Sequence, residues 1–299
     1  MEPEPATEQD VRALAARHGL DLEPGTVRFE EAGLDYRVAF AAASGTGEQW
    51  VLRIPRRPDV AAKVADERRI LDFVRPRLAA AVPDWRIAGP ELVAYPRLPG
   101  RPGLTLDAAG QPVWHYDTAS PEYARSLAEL VASLHRLDAP AASAAGVPAA
   151  SPDQVRRRWA ADLERVLGEF DVSAELVARW RAWLDDDGLW PRSTVLTHGE
   201  LYPAHLLLDD GDRILSVLDW TTAGVGDPAL DFMYQHLIAP PESFAATVRA
   251  YEKLTGRHEP RLAARCGALV AAGPLNYALF ALASGEPEHR AAAAAQLRL

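Results

Sequence analysis

Hydrophobic and polar positions recur along this chain with two different periods, and the change from one to the other divides it. Gln49-Trp50-Val51-Leu52-Arg53-Ile54 reads as a strand of period two, with Trp50, Leu52 and Ile54 on one face and Val51 and Arg53 on the other. Arg53 is the lone charge in that run. Val60, Val64, Glu67, Leu71, Val74 and Leu78 then recur at the three-and-four spacing of a single helix face, with one carboxylate in the middle of the stripe. A carboxylate placed there is costly without a partner, and the simplest partner is Arg53. The alternative puts Glu67 at the rim of the helix and Arg53 on an edge strand. With a short helix predicted around Asp10 to His18, the residues up to about Pro96 read as a sheet with two helices.

Leu98-Pro99-Gly100-Arg101-Pro102-Gly103 is rich in breakers, and helical periodicity dominates beyond it. Tyr123, Leu127, Leu130 and Leu134 form one stripe, and Val155, Trp159, Leu163, Val166 and Phe170 another. The Ala, Ser and Pro content of Ala139 to Pro152 predicts a mobile loop between them. Ala268 to Gly285 is uncharged and nearly long enough to span a bilayer, but Gly273-Pro274 and Asn276 predict two packed helices instead.

The chemistry concentrates between Val195 and Asp231. Val195-Leu196, Leu206 to Leu208 and Ile214 to Leu218 are three apolar runs, with Asp210-Gly211 as the expected hairpin turn between the last two. On that scaffold Glu200 falls in a loop, His205 at the entry to one strand and Asp219 at the exit from its partner. Phosphoryl transfer uses such a set: a carboxylate to orient and deprotonate an acceptor hydroxyl, and ligands for the Mg²⁺ that neutralises phosphate charge. Asp227, in Gly226-Asp227-Pro228, reads first as a helix N-cap, and Asp231 as an acid in the first helical turn with a possible second role in bracing the catalytic loop.

Composition narrows the picture. At 299 residues and 48% hydrophobic content the chain can build one large domain or two lobes. Its formal net charge of -10 argues against nucleic acid as a partner, and Arg56, Arg57, Arg68 and Arg69 are adequately explained as a solvated face. The acidic balance suits solubility and could also attract a cationic substrate. A single cysteine, Cys266, excludes an internal disulfide and suits a reducing cytoplasm. The start, Met1-Glu2-Pro3-Glu4-Pro5, is the opposite of a secretory signal.

In Ala32-Gly33-Leu34-Asp35-Tyr36-Arg37, Trp50 to Arg57, Val82 to Arg86, Glu91 to Pro96, the run from His198 to Asp231, and Asn276 to Leu282, the chain resembles the macrolide 2'-phosphotransferases, within the wider aminoglycoside-phosphotransferase and protein-kinase-like superfamily. The resemblance implies a bilobal α+β protein-kinase-like fold. Its small sheet-based nucleotide-binding lobe would span residues 1–97, and a larger, mostly helical lobe with the catalytic β-hairpin and the macrolide site would span 98–299. By the same resemblance Glu200 occupies the catalytic-base position, and His205 and Asp219 the Mg²⁺ positions, histidine replacing the superfamily's usual asparagine. Arg53 and Glu67 are the phosphate-anchoring pair, and Tyr95-Pro96 the hinge beside the purine. The donor implied is GTP, with ATP as a second purine nucleotide, and the acceptor a macrolide antibiotic, in a cytoplasmic protein expected to be a monomer without a membrane partner. Met233, Leu275 and Leu279 are candidates for the apolar wall of the macrolide pocket.

Two features depart from pattern. Glu200 stands where the family has aspartate, and its extra methylene moves the oxygens by about one bond length; a misplacement near 1 Å can cost roughly a hundredfold in rate. The Gly-x-Gly-x-x-Gly of protein kinases is missing ahead of Arg53, so a less glycine-rich turn around Gly33 is expected over the phosphates. A kinase for aminoglycosides or other alcohols, and a catalytically weakened binder, stay open as alternatives.

Overall fold

The computed structural model describes residues 7–30, 35–107 and 109–298. Ala32, Gly33 and Leu34, and with them the expected phosphate-covering turn, lie outside the described residues. Before Tyr116 the elements are α1 (Glu8–Arg17), β1 (Arg28–Glu30), β2 (Tyr36–Ala42), β3 (Gln49–Pro55), α2 (Pro58–Val74), β4 (Ile87–Ala88), β5 (Val93–Pro96), β6 (Arg101–Pro102), β7 (Leu104–Leu106) and β8 (Pro112–Trp114). There follow α3 (Pro121–His135), α4 (Ala139–Ala144), α5 (Pro152–Glu169), α6 (Ala174–Asp185) and β9 (Val195–Thr197). The chain ends with β10 (Leu206–Leu208), β11 (Ile214–Val217), β12 (Gly224–Gly226), α7 (Met233–Ile238), α8 (Pro241–Thr255), α9 (Leu262–Ala271), α10 (Gly273–Ser284) and α11 (Pro287–Gln296).

Packing divides the chain into two units, Met1–His115 with Ala204–Thr221, and Tyr116–Pro203 with Thr222–Leu299. The first is built on a five-stranded sheet in the order β1-β2-β3-β5-β4, antiparallel throughout. The period-two pattern of β3 has the expected effect. Leu52 packs with Val11 and Ala15 of α1, flanked by Trp50 and Ile54, while Val51 and Arg53 are buried on the opposite face. Thr7 starts α1 with a capping box, its hydroxyl accepting from the Asp10 amide and Asp10 accepting from the Thr7 amide. Helix α2 buries Val60, Val64, Glu67, Leu71 and Val74, and Glu67 is only 2% exposed, which excludes the rim placement. Leu78 falls beyond the helix, because Pro76 has no amide proton to continue the helical ladder and the run ends at Arg75, whose own backbone is still helical.

The hairpin differs from expectation in two respects. Its turn is the longer segment Asp209–Arg213 rather than Asp210-Gly211 alone: the Asp209 carboxylate accepts from the amides of Gly211 and Arg213, both at 2.9 Å, and Asp212 takes a left-handed φ of 67°. It also packs with the N-terminal residues, so the boundary expected after residue 97 does not follow the packing. The reason is pairing across that boundary: Ala81 bridges Ser216 of β11, its amide donating to the Leu215 carbonyl and its carbonyl accepting from the Val217 amide, both at 2.9 Å, while β6 pairs with the free edge of β10.

The second unit is mostly helical, as the change of period predicts. Tyr123, Leu127, Leu130 and Leu134 are all buried on α3. The segment expected as a mobile loop contains α4, which forms because Asp138 caps it, Pro140 suits its first turn and alanine favours helix. Residues of α5, α6, α10 and α11 share one core around Leu163, Val166, Trp180, Leu275 and Ala278. Helices α9 and α10 break at Ala272 with a 45° bend, and among the described residues no single helix is long and apolar enough to cross a membrane.

Candidate active site

Two clusters lie in the first unit. Arg53 donates from Nη1 to Glu67 Oε1 at 3.0 Å, both side chains being almost fully buried. The same oxygen accepts the Trp220 amide at 3.4 Å, which ties α2 to the residue after Asp219. The other oxygen, Oε2, is buried with no hydrogen-bond partner among the described residues. Burial works against the charge on Arg53, but the Glu67 carboxylate more than restores it, and its guanidinium sits over the Tyr36 ring at 4.0 Å. Burial likewise pushes the Glu67 carboxyl up, with Arg53 opposing it. The result is a cation fixed in direction by a helix and a strand.

In the second cluster His205 ends a 3-10 turn and Asp219 follows β11, with 3.8 Å between His205 Nε2 and Asp219 Oδ2. The Leu218 amide donates to the His205 carbonyl at 2.8 Å, so the backbone places the two side chains as neighbours. Asp219 adopts the left-handed region at φ 57°, rare for a residue with a Cβ. The Thr221 hydroxyl donates to its Oδ1 at 2.6 Å.

In the second unit Glu200 lies on the turn that leaves β9. Gly199 takes φ +85°, and a Cβ there would come within 2.8 Å of the Thr222 carbonyl, so only glycine fits. Asp231, 1% exposed, accepts the His198 amide at 3.1 Å with one carboxylate oxygen and the Gly199 amide at 2.7 Å with the other. His135 Nε2 meets the same carboxylate at 3.0 Å and its Nδ1 meets the Tyr251 hydroxyl at 3.0 Å. The two nitrogens of the His135 ring thus link the Asp231 carboxylate to the Tyr251 hydroxyl. Asp227 caps the turn before Asp231 through the Ala229 amide at 2.9 Å and also pairs with Arg265, which Glu259 joins at 2.9 Å.

The remaining candidates are placed differently. Tyr95 is buried on the Arg53 face of the sheet, paired with Val51, and Pro96 is half-buried at the end of β5. Met233 opens α7 and is half-buried. Leu275, expected on a pocket wall, is 1% exposed inside the α5-α6-α10-α11 core, and Leu279 packs against the same core. Their shared helix face is real, but neighbouring helices cover it. A cavity of about 700 Å³ lined by His236, Phe244, Val248 and Leu262 contains none of the candidates. Sequence reasoning missed His135, Tyr234 and Arg265. The only available signal was a polar residue beside an apolar stripe, and nothing local names its partner.

The phosphotransferase enzyme family matches residues 26–265 of the chain. The uncharacterized protein YcbJ of Bacillus subtilis (strain 168) is 37% identical over 283 residues, which cover 94% of this chain and 92% of that protein. Among solved structures, the macrolide 2'-phosphotransferase MphH from Brachybacterium faecium is 56% identical, with a TM-score of 0.89 over 97% of each chain. Macrolide 2'-phosphotransferase type I is 43% identical, with a TM-score of 0.91 over 98% of each chain. The GDP and kanamycin complex of APH(2")-IIia is 18% identical at a TM-score of 0.75 over 97% of each chain, a likeness of fold alone.

Proposed function

The chain belongs to the phosphotransferase enzyme family and has its kinase-like α+β fold, and from that premise we propose that it is an antibiotic-resistance kinase, a macrolide 2'-phosphotransferase that uses GTP. The observation that carries this reading is the 56% identity to a macrolide 2'-phosphotransferase, sustained over 97% of both chains. Glu200 receives the proton of the 2'-hydroxyl of the macrolide's amino sugar. That oxygen bonds to the γ-phosphorus as the bond from phosphorus to the β–γ bridging oxygen breaks, leaving GDP and a phosphorylated drug. Asp231 fixes the backbone from which Glu200 projects, and Arg53, steadied by Glu67, supplies a fixed positive charge for the nucleotide phosphates. The dimethylamino sugar is cationic, which suits an acidic chain.

Mg²⁺ fits His205 and Asp219. Their donor atoms stand 3.8 Å apart, within the span of about 4 Å that one ion at about 2.1 Å from each permits. Among the described residues no third His, Cys, Asp or Glu joins them, as suits an ion that keeps water and phosphate oxygens in its shell. Bound there, the ion neutralises charge on the phosphates.

The test is mass spectrometry of erythromycin, kanamycin and choline, each incubated with the protein, Mg²⁺ and either GTP or ATP. One added phosphoryl group on erythromycin alone, made faster with GTP, is the expected result. Phosphorylation of kanamycin or choline instead would replace the acceptor, and binding without any mass change would make the chain a binder.

A further inference from the structure

Tyr234 stands against the carboxylate of Glu200. Its hydroxyl donates toward Glu200 Oε1 at 3.5 Å. Its ring packs on that of Tyr202, with 5.1 Å between centroids and 56° between planes. Tyr202 in turn donates its amide to the Glu200 carbonyl at 2.7 Å, closing a three-residue turn around the glutamate. All three residues belong to the second unit. Burial first, and then the Glu200 charge, push the Tyr234 phenol up, so it remains a hydrogen-bond donor at any ordinary pH.

A glutamate has one more rotatable bond than an aspartate, so a fixed loop backbone does not by itself fix its oxygens. The backbone is held by Asp231, in the 3-10 turn that runs directly into α7. Tyr234 is the second residue of α7. One short segment therefore grips both ends of the problem, the loop amides through Asp231 and the side-chain tip through Tyr234. Tyrosine suits this task, since its rigid ring has little freedom to lose when it is packed on a neighbour.

We infer that Tyr234 is a positioning residue for phosphoryl transfer, holding the Glu200 carboxylate toward the acceptor hydroxyl with Tyr202 as its backstop, and so accommodating glutamate where the family pattern has aspartate. This rests on the proposed role of Glu200. At 3.5 Å the contact is longer than the roughly 2.5–3.0 Å of a formed O–H···O bond, as catalytic hydrogen bonds often are before substrate binds; closed in the substrate complex, it is worth about tenfold in rate.

The experiment is a double-mutant cycle on the full chain, with erythromycin and Mg·GTP, reading kcat and KM separately together with melting temperature. Tyr234→Phe keeps the ring on Tyr202 and removes only the hydroxyl. It is expected to lower kcat about tenfold while KM and melting temperature stay near those of the parent. In a Glu200→Asp background, whose shorter arm no longer reaches the phenol, the same change is expected to have no further effect. An unchanged kcat in Tyr234→Phe, or an equal loss in both backgrounds, overturns the inference. Glu200→Gln separates the two readings: parental turnover there removes the role of Glu200 itself, whereas a large loss there beside an unaffected Tyr234→Phe removes only the tyrosine.

Discussion

Asp219 holds a left-handed backbone at φ 57°, a conformation that costs a residue with a Cβ about 1–3 kcal/mol and persists where surrounding structure enforces it. Here the enforcement is visible on both sides, in the Leu218 amide on the His205 carbonyl and the Trp220 amide on Glu67. Asp219→Ala leaves the turn but removes the carboxylate, and transfer to the macrolide is expected to fall by at least about a hundredfold, read as phosphate incorporated into the drug. Near-parental turnover would defeat the metal assignment. Glu67→Ala works differently. It strands the Arg53 guanidinium, buried beside it, and is expected to lower stability by about 3–5 kcal/mol in denaturant unfolding, with Glu67→Gln losing less because an acceptor remains. At this scale the sequence was informative, because a carboxylate inside an apolar stripe must find a cation. The tie from Glu67 to Trp220 was not legible, since no spacing rule links residues 153 apart.

The sheet of the first unit brings together groups that titrate in alkali. The Tyr36 and Tyr95 phenols are each pushed up to about 12, by burial chiefly, with Arg53 opposing. A phenol whose folded pKa lies above its ordinary value of 10 contributes stability that is complete below pH 10 and is lost as pH rises toward 12. Unfolding measured between pH 8 and pH 11.5, a range set by those values, is expected to show a steep alkaline decline that Tyr95→Phe makes shallower. An unchanged slope in that variant would remove Tyr95 from the account. Strand and helix identities were largely readable here, from period two in β3 and the three-and-four stripe in α2. The limits of elements were less so: Pro76 cut α2 short and Asp209 reshaped the hairpin turn. On α10 the apolar face of Leu275 and Leu279 was correctly located, yet periodicity cannot distinguish a face covered by α5 and α6 from one left for a ligand.

Over the whole molecule, ligand binding should add to folding stability by mass action. At about 100 times its dissociation constant, Mg·GTP is expected to stabilise the chain by roughly 2.7 kcal/mol, read as a rise in melting temperature that EDTA reverses and that Asp219→Ala largely lacks. Equal stabilisation by GTP with and without the metal would remove His205 and Asp219 from its binding. The sequence alone determined the fold class, through its resemblance to a known family, and the character of β3, α2 and α3, because strand and helix periods and proline and glycine breaks are written within a few neighbours. Only the tertiary structure decided that the hairpin pairs with β6 and bridges Ala81, that His135 meets Asp231 across 96 positions, that Tyr234 meets Glu200 across 34, and that Leu275 is core. Those outcomes depend on which surfaces meet after the chain has folded back on itself, and local pattern carries no record of that choice.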